Sequence, residues 1–234
     1  RGHKTGLSMH YLDTVAETPP RTQARTRTHR SSRDIAIRAL DLLIAIVALI
    51  ALGPLLLFVA GSIFLADGGS PIFAHQRLGR GGLRFGCLKF RTMVMDSQQR
   101  LEALLATDPV ARAEWDRDQK LRNDPRVTRL GRFYRKASID ELPQLINVLR
   151  GEMSIVGPRP IVQAERARYG RHFSAYSSVN PGITGIWQVC GRNDVSYRRR
   201  VACDVLYARS RSLPLNVRII AMTIPAVLKS EGSY

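Results

Sequence analysis

Asp140 and Glu141 stand side by side in Ser138-Ile139-Asp140-Glu141-Leu142-Pro143, where an apolar helix is expected to begin. Acids in the first turn of a helix are kept ionised by its dipole, and the free N–H groups there can receive an anion. Successive helical residues project about 100° apart, so the two carboxylates can hold different jobs on one bound anion. The same residues also serve as plain capping. Ser138 and Glu141 make an S-x-x-E capping box, and with Asp140 as the cap Pro143 falls in the tolerant first turn. On these residues alone both readings stand.

The acids need a mount. Leu142, Leu145, Ile146 and Leu149 follow the i, i+3, i+4, i+7 spacing of one buried helix face. The chain then turns through Gly157-Pro158-Arg159-Pro160. Farther on, Gly191-Arg192-Asn193 reads as a turn whose arginine is either a phosphate contact or a loop cation. A helix is expected from Ser196, with Tyr197, Val201, Val205 and Ala208 on one face and Asp204 near its cations. The apolar stretch from Asn216 to Ser230 has basic ends and contains Pro225, and reads as core or as an interfacial helix.

Upstream, Gly79-Arg80-Gly81-Gly82 parts two short β-prone pieces and reads as a hairpin turn. Alternation over Leu88-Lys89-Phe90-Arg91 sends the two cations to one face and the apolar pair to the other, which alone would be an exposed basic strand. Two polar helices are expected over 96–121, parted at Asp108-Pro109 and carrying the stripe Leu101, Leu104, Leu105. The expected fold class is α+β, mainly helical with a small β-hairpin.

A formal charge of +17 over 234 residues points to an anionic partner: nucleic acid, an acidic lipid surface or a phosphorylated substrate. Cys87, Cys190 and Cys203 form no CxxC pair, which argues against a disulfide framework or a zinc knuckle. Residues 1–33, rich in Arg, Thr, Ser and Pro, read as a disordered basic arm. From Leu42 to Ala66 the chain carries no charge. As a helix this run would reach roughly 37 Å, enough for a bilayer core of about 30 Å. Gly53-Pro54 sits at its midpoint, and both flanks are basic: Arg33 and Arg38 before, Arg77, Arg80, Arg84, Lys89 and Arg91 after. Positive charge at both ends asks for the same side of the membrane, which favours a re-entrant, Pro-kinked helix over an ordinary transmembrane span, the other reading of this run.

Taken in order, these segments resemble the bacterial monotopic phosphoglycosyl transferases, also called the bacterial sugar transferase family. The resemblance runs from about Ile35 to Tyr234. It is carried by the Pro-broken apolar helix, "LKFRTM", "NDPRVTRLGRFYRKASIDELPQL", "GEMSIVGPRP", "PGITGIWQVCGR" and the final "GSY". "GRNDVSY" and "TIPAVLKSEGSY" look most like the ExoY-type galactosyl phosphotransferases. The resemblance implies transfer of a sugar 1-phosphate, galactose 1-phosphate first, from a UDP-sugar to undecaprenyl phosphate. UMP would be released, in the first membrane step of exopolysaccharide synthesis.

The same resemblance implies that Asp140 attacks the sugar-bearing phosphate to form a covalent intermediate and that Glu141 helps to hold Mg²⁺. It implies that Lys89, Arg135, Arg159 and Arg192 contact phosphates or organise the site, with Asp204 a further candidate. It divides the chain into the arm over 1–33, a re-entrant membrane helix-break-helix over 34–67 and a cytosolic catalytic domain over 68–234. That domain would rest on the anionic lipids of the bacterial inner membrane. Two positions depart from the pattern: Gly53-Pro54 where many relatives carry Ser-Pro, and Asn180 where many carry Arg.

Electrostatics agrees with this implication. A carboxylate approaching a diphosphate is repelled unless charge is neutralised, so Mg²⁺ and several arginines are its expected company. A polyprenyl chain stays in the bilayer at about 0.8 kcal/mol per buried CH₂, so the protein must meet it at the interface. Two other classes compete. A membrane-tethered nucleic-acid-binding protein would explain the charge and the arm, but no reading motif accompanies them, and no nucleic acid is expected. A non-catalytic scaffold of polysaccharide assembly would leave Asp140 without a chemical role.

Overall fold

The computed structural model describes residues 32–118, 121, 123–190 and 195–228. The basic arm falls outside these residues except for Ser32 and Arg33. The first helix, α1 (Ser32–Asp67), has Pro54 inside it, and Gly53-Pro54 does not interrupt it. It is long and apolar enough to cross a membrane, yet both of its halves dock on the rest of the protein. Ile46, Val47, Ile50, Leu57 and Phe58 in its middle are exposed, Ile50 and Leu57 by three quarters.

The expected hairpin is present. Strands β1 (Ile72–Leu78) and β2 (Arg84–Phe90) pair antiparallel, with Ile72 opposite Phe90 and Leu78 opposite Arg84. Gly81 and Gly82 in the turn take φ of +70° and +73°, a conformation that a side chain disfavours. Residues directly opposite each other share a face, so Phe73, His75 and Arg77 lie with Phe85, Cys87 and Lys89. Phe85 and Cys87 are buried, which corrects the expected exposed basic strand: Lys89 shares their covered face.

Helices α2 (Ser97–Thr107) and α3 (Pro109–Asp118) part at Asp108-Pro109 as expected, with Leu101 buried. Helix α4 (Arg129–Lys136) is capped by Thr128, whose hydroxyl accepts from the Gly131 N–H at 2.9 Å. It leads through a 3₁₀ turn, Ile139–Glu141, into α5 (Gln144–Arg150). The buried face of α5 is Gln144, Leu145, Asn147 and Val148, a correction to the expected face that held Ile146 and Leu149. Asn147 explains the rotation. Its amide accepts from the Leu88 N–H at 2.9 Å and donates to the Gly86 carbonyl at 2.8 Å and to Glu152 at 2.6 Å, tying α5 to β2.

A second sheet was not expected from sequence. Strand β3 (Ser154–Val156) pairs parallel with β4 (Gly182–Thr184), across the short helices α6 (Arg166–Tyr169) and α7 (Phe173–Ser177). Then come α8 (Ile186–Cys190), α9 (Tyr197–Ser210), which begins at Ser196 as expected and is capped by it, and α10 (Leu213–Leu228) with Pro225 inside it. The main core joins Ala45 of α1 to Leu145, Val148, Met153, Ile155, Tyr207 and Ile219. A separate cluster joins Val59 and Ile63 of α1 to Phe90 and Tyr134.

Two polar clamps fix α1. Asp41, buried, accepts from the Ser154 hydroxyl at 2.7 Å and from the Ile155 N–H at 2.9 Å. Arg38 donates to the Val148 and Leu149 carbonyls at 2.7 and 3.0 Å, capping the end of α5. In the other half, the Ser62 and Tyr134 hydroxyls lie 2.7 Å apart, so Ser62 serves the junction with α4.

Candidate active site

The acidic pair lies in the 3₁₀ turn before α5, not in that helix's first turn, and neither expected cap is formed. Ser138 adopts a left-handed conformation with φ +56°, the one non-glycine at positive φ among the described residues, and its side chain caps nothing. Such a conformation costs about 1–2 kcal/mol. Its effect is to reverse the chain sharply after α4, so that Asp140 points inward and is 8% exposed. Pro143 occupies the N-cap position of α5, where its missing N–H is no loss.

The hairpin delivers the counterion. Lys89 Nζ is 2.6 Å from Glu141 Oε1 and 3.8 Å from Asp140 Oδ2, so one ammonium serves both acids. Arg135, at the end of α4, donates from Nε to the Thr92 hydroxyl at 2.9 Å and acts on Asp140 through its charge. Thr92 is also where α4 sits down: its carbonyl accepts from the Thr128 N–H at 3.0 Å, and a Cβ on Gly131 would meet that carbonyl at 2.1 Å.

Beyond Glu141 opens a cleft lined by Arg77, Cys87, Lys89, Gln144, Arg159 and Gln188. Its base is a close crossing of two loops. Gly157 donates to the Thr184 carbonyl at 2.9 Å and Gly182 to the Pro158 carbonyl at 2.8 Å. A Cβ on Gly157 would lie 2.5 Å from the Asn180 carbonyl and 2.6 Å from the Gly182 nitrogen, both backbone atoms. Glycine at 157 and 182 is what lets the turn bearing Arg159 lie against β4, which leads into the helix bearing Gln188.

The two acids are driven apart in acidity. Burial raises Asp140 above the usual carboxylate range and the charge of Glu141 adds to this, outweighing the pull of Lys89 and Arg135. Burial also pushes Glu141 up, but Lys89, Arg159 and Arg77 together overcome it and hold Glu141 below its ordinary value. Adjacent acids with separated affinities for protons are suited to different roles. The cleft itself is cationic. Arg77 is lowered first by burial and then by the like charge of Arg159, so positive groups are crowded together here, a setting that suits an anion.

The structure thus brings Lys89, Arg135, Arg159, Asp140 and Glu141 together. Arg192 lies outside the described residues. Asp204 is buried behind the Arg159 turn, bonded to Tyr169 at 2.7 Å, and no described contact joins it to the acidic pair. Sequence reading missed Arg77, Gln144 and Gln188. The opposition of Arg77 and Phe85 in the hairpin, two pairs from Lys89, was the one local signal for Arg77. Among the described residues no group of three His, Cys, Asp or Glu side chains could hold a metal. Two adjacent carboxylates nonetheless fit Mg²⁺, which commonly takes one or two from the protein and the rest from substrate phosphate and water.

The bacterial sugar transferase family model matches residues 32–230. An exopolysaccharide production protein ExoY from Sinorhizobium fredii is 50% identical over 200 residues, covering 86% of this chain and 88% of that protein. A UDP-galactose-lipid carrier transferase from Erwinia amylovora is 58% identical over 168 residues, 72% of this chain and 35% of the relative. An undecaprenyl-phosphate galactose phosphotransferase from Salmonella typhimurium is 50% identical over 205 residues, 88% of this chain and 43% of the relative. The chain therefore spans less than half the length of these last two proteins and most of the first.

Proposed function

The chain belongs to the bacterial sugar transferase family, and on that premise we propose that it transfers a sugar 1-phosphate from a UDP-sugar to undecaprenyl phosphate and releases UMP. Galactose is the sugar we assign first, supported by the names of the Erwinia and Salmonella relatives. The observation that carries the reading is the convergence of a buried and a paired carboxylate with Lys89, Arg135, Arg159 and Arg77, beside an apolar helix.

The chemistry divides into two displacements at one phosphorus. An Asp140 carboxylate oxygen bonds to the sugar-bearing phosphorus while the bond to the bridging oxygen breaks, and UMP leaves with the electron pair. An oxygen of undecaprenyl phosphate then bonds to the same phosphorus, and the bond to Asp140 breaks, restoring the carboxylate. Each half is easier than the direct exchange of two anions. Lys89 neutralises the acids so that a diphosphate can approach, and Arg159 and Arg77 offer charge to its oxygens. Mg²⁺, held by Glu141 and the substrate's own phosphates, would neutralise the diphosphate further.

The docking of both halves of α1 on one body, Ala45 in one core cluster and Val59 in another, supports a re-entrant helix on the cytosolic face of the inner membrane. A spanning helix would have to pull one docked half, Asp41 or Ser62, away from its partner. Cationic flanks would add about 1 kcal/mol each against anionic lipid.

The test is UMP release from a panel of UDP-sugars with undecaprenyl phosphate and Mg²⁺, together with intact-mass detection of a phospho-sugar adduct. Loss of both in Asp140→Asn is expected. Near-normal turnover by that variant would remove Asp140 from the chemistry.

A further inference from the structure

The turn that carries Arg159 is supported from the side away from the acidic pair. Asp204, on α9 and 2% exposed, accepts from the Tyr169 hydroxyl at 2.7 Å. The backbone N–H of Arg159 faces the same carboxylate, as does the indole N–H of Trp187, which closes no hydrogen bond. Tyr169 packs its ring on Tyr176 with centroids 4.8 Å apart. The Tyr176 hydroxyl lies 3.1 Å from the Arg159 carbonyl and 3.0 Å from that of Leu78, and accepts from the Ile161 N–H at 3.2 Å. The Arg159 guanidinium lies 6.0 Å from the Trp187 ring centre, and that of Arg200 lies 4.7 Å from it.

Asp204 therefore meets the frame around Arg159 at three places: its N–H, the aromatic stack under its carbonyl, and the indole beside its guanidinium. A buried carboxylate is costly unless its partners compensate it, and here those partners are the groups that frame Arg159. We propose that Asp204 is a positioning residue for Arg159, holding the Gly157–Pro160 turn so that the guanidinium stays aimed into the cleft. The inference rests on the proposed function only in taking Arg159 as a contact for donor phosphate.

The groups facing Asp204 are Arg159, Tyr169 from α6, Tyr176 from α7, Trp187 from α8, and Tyr197 and Cys203 from its own helix, with Glu165 from the turn before α6 acting on Tyr176 and Tyr197. Arg168 lies over the Tyr197 ring at 4.8 Å. Burial, before any other cause, raises the tyrosines and Cys203 above their ordinary values. Burial also pushes Asp204 up, to about 7, against the pull of Tyr169 and Arg159. Of this cluster Asp204 is the group that changes charge near neutrality.

The experiment is a double-substitution cycle on the full chain in detergent or nanodiscs, following UMP release at varied donor concentration. Asp204→Ala is expected to lower kcat/KM for the donor by up to about 100-fold, the cost of misplacing a contact by roughly 1 Å. In an Arg159→Lys background the same change should cost less than about 2-fold, because the group it positions is already gone. Equal costs in both backgrounds would overturn the proposal.

Asp204→Asn keeps the shape and should remove a step near pH 7 from the donor kcat/KM profile; a step that persists also counts against it. If Asp204→Ala does not fold, Asp204→Asn carries the same cycle. If the wild type releases no UMP from any UDP-sugar, the proposed function fails instead. Positioning is then read from binding of inorganic pyrophosphate, whose Kd must respond to Asp204→Asn only while Arg159 is present.

Discussion

Replacing Lys89 with methionine keeps most of the side chain's volume and removes the one cation shared by both acids. At 3.8 Å, the ammonium and the Asp140 carboxylate attract by about 4 kcal/mol at an effective dielectric of about 20. Asp140 is already above its usual range because it is buried, and losing Lys89 raises it further. The sign follows: at any given pH less of the carboxylate is ionised, so activity is lost first on the acid side. Water entering the vacated space recovers part of the attraction. If only a third of it is lost, the acid limb of the pH–rate profile moves up by about one pH unit, at about 1.36 kcal/mol per unit. The assay is UMP release from pH 5 to pH 9 for wild type and Lys89→Met, with saturating Mg²⁺. A rate reduced by one factor at every pH, with the limb unmoved, would refute this account and leave Lys89 acting on substrate alone.

Gly157→Ala should lower stability by about 1–3 kcal/mol or more and reduce activity, because its Cβ meets backbone atoms that cannot step aside; unchanged melting and turnover would show that the crossing can relax. Asp41→Ala should cost about 1–3 kcal/mol for each buried donor it strands, Ser154 and the Ile155 N–H, read by thermal unfolding in detergent, with Asp41→Asn costing less. For Asp204, a carboxyl held up to about 7 from 3.8 contributes stability at low pH that is lost as pH rises through 7. The Asp204→Asn variant should therefore gain on wild type between pH 4 and pH 8, by at most about 4 kcal/mol. A melting difference flat over that range would contradict the burial argument.

Local chemistry made much of this molecule legible in its sequence. The glycine-rich turn announced the hairpin, Asp108-Pro109 parted α2 from α3, and α9 began at Ser196, each through contacts only a few residues apart. What sequence hid depends on distant partners. Strands β3 and β4 are three residues each, too short for alternation to register, and they exist because two glycine-bearing loops cross. The face of α5 turned because Asn147 serves the edge of β2, a partner that periodicity cannot see. The acids fell outside the helix because Ser138 accepts a left-handed conformation that its residue type does not advertise. Family likeness supplied Lys89, Arg135 and Arg159; it did not supply Arg77, Gln144 or Gln188, which tertiary structure gathers around the same cleft.

Ala45 and Val59 complete different clusters of the protein's interior, so α1 is a wall of the building and cannot be treated as a detachable stake. Cutting the chain at Gly68 in search of a water-soluble fragment would uncover Leu145 and Val148 on one side and Phe90 and Tyr134 on the other. Such a fragment should collapse or aggregate, whatever its surface charge. The same arrangement sets the working height of the site when the chain folds. Helix α4, which carries Arg135 in its last turn and leads directly to the two acids, is bolted through Tyr134 to Ser62, so on the proposed membrane placement the lipid around α1 would also fix how far above it those acids stand.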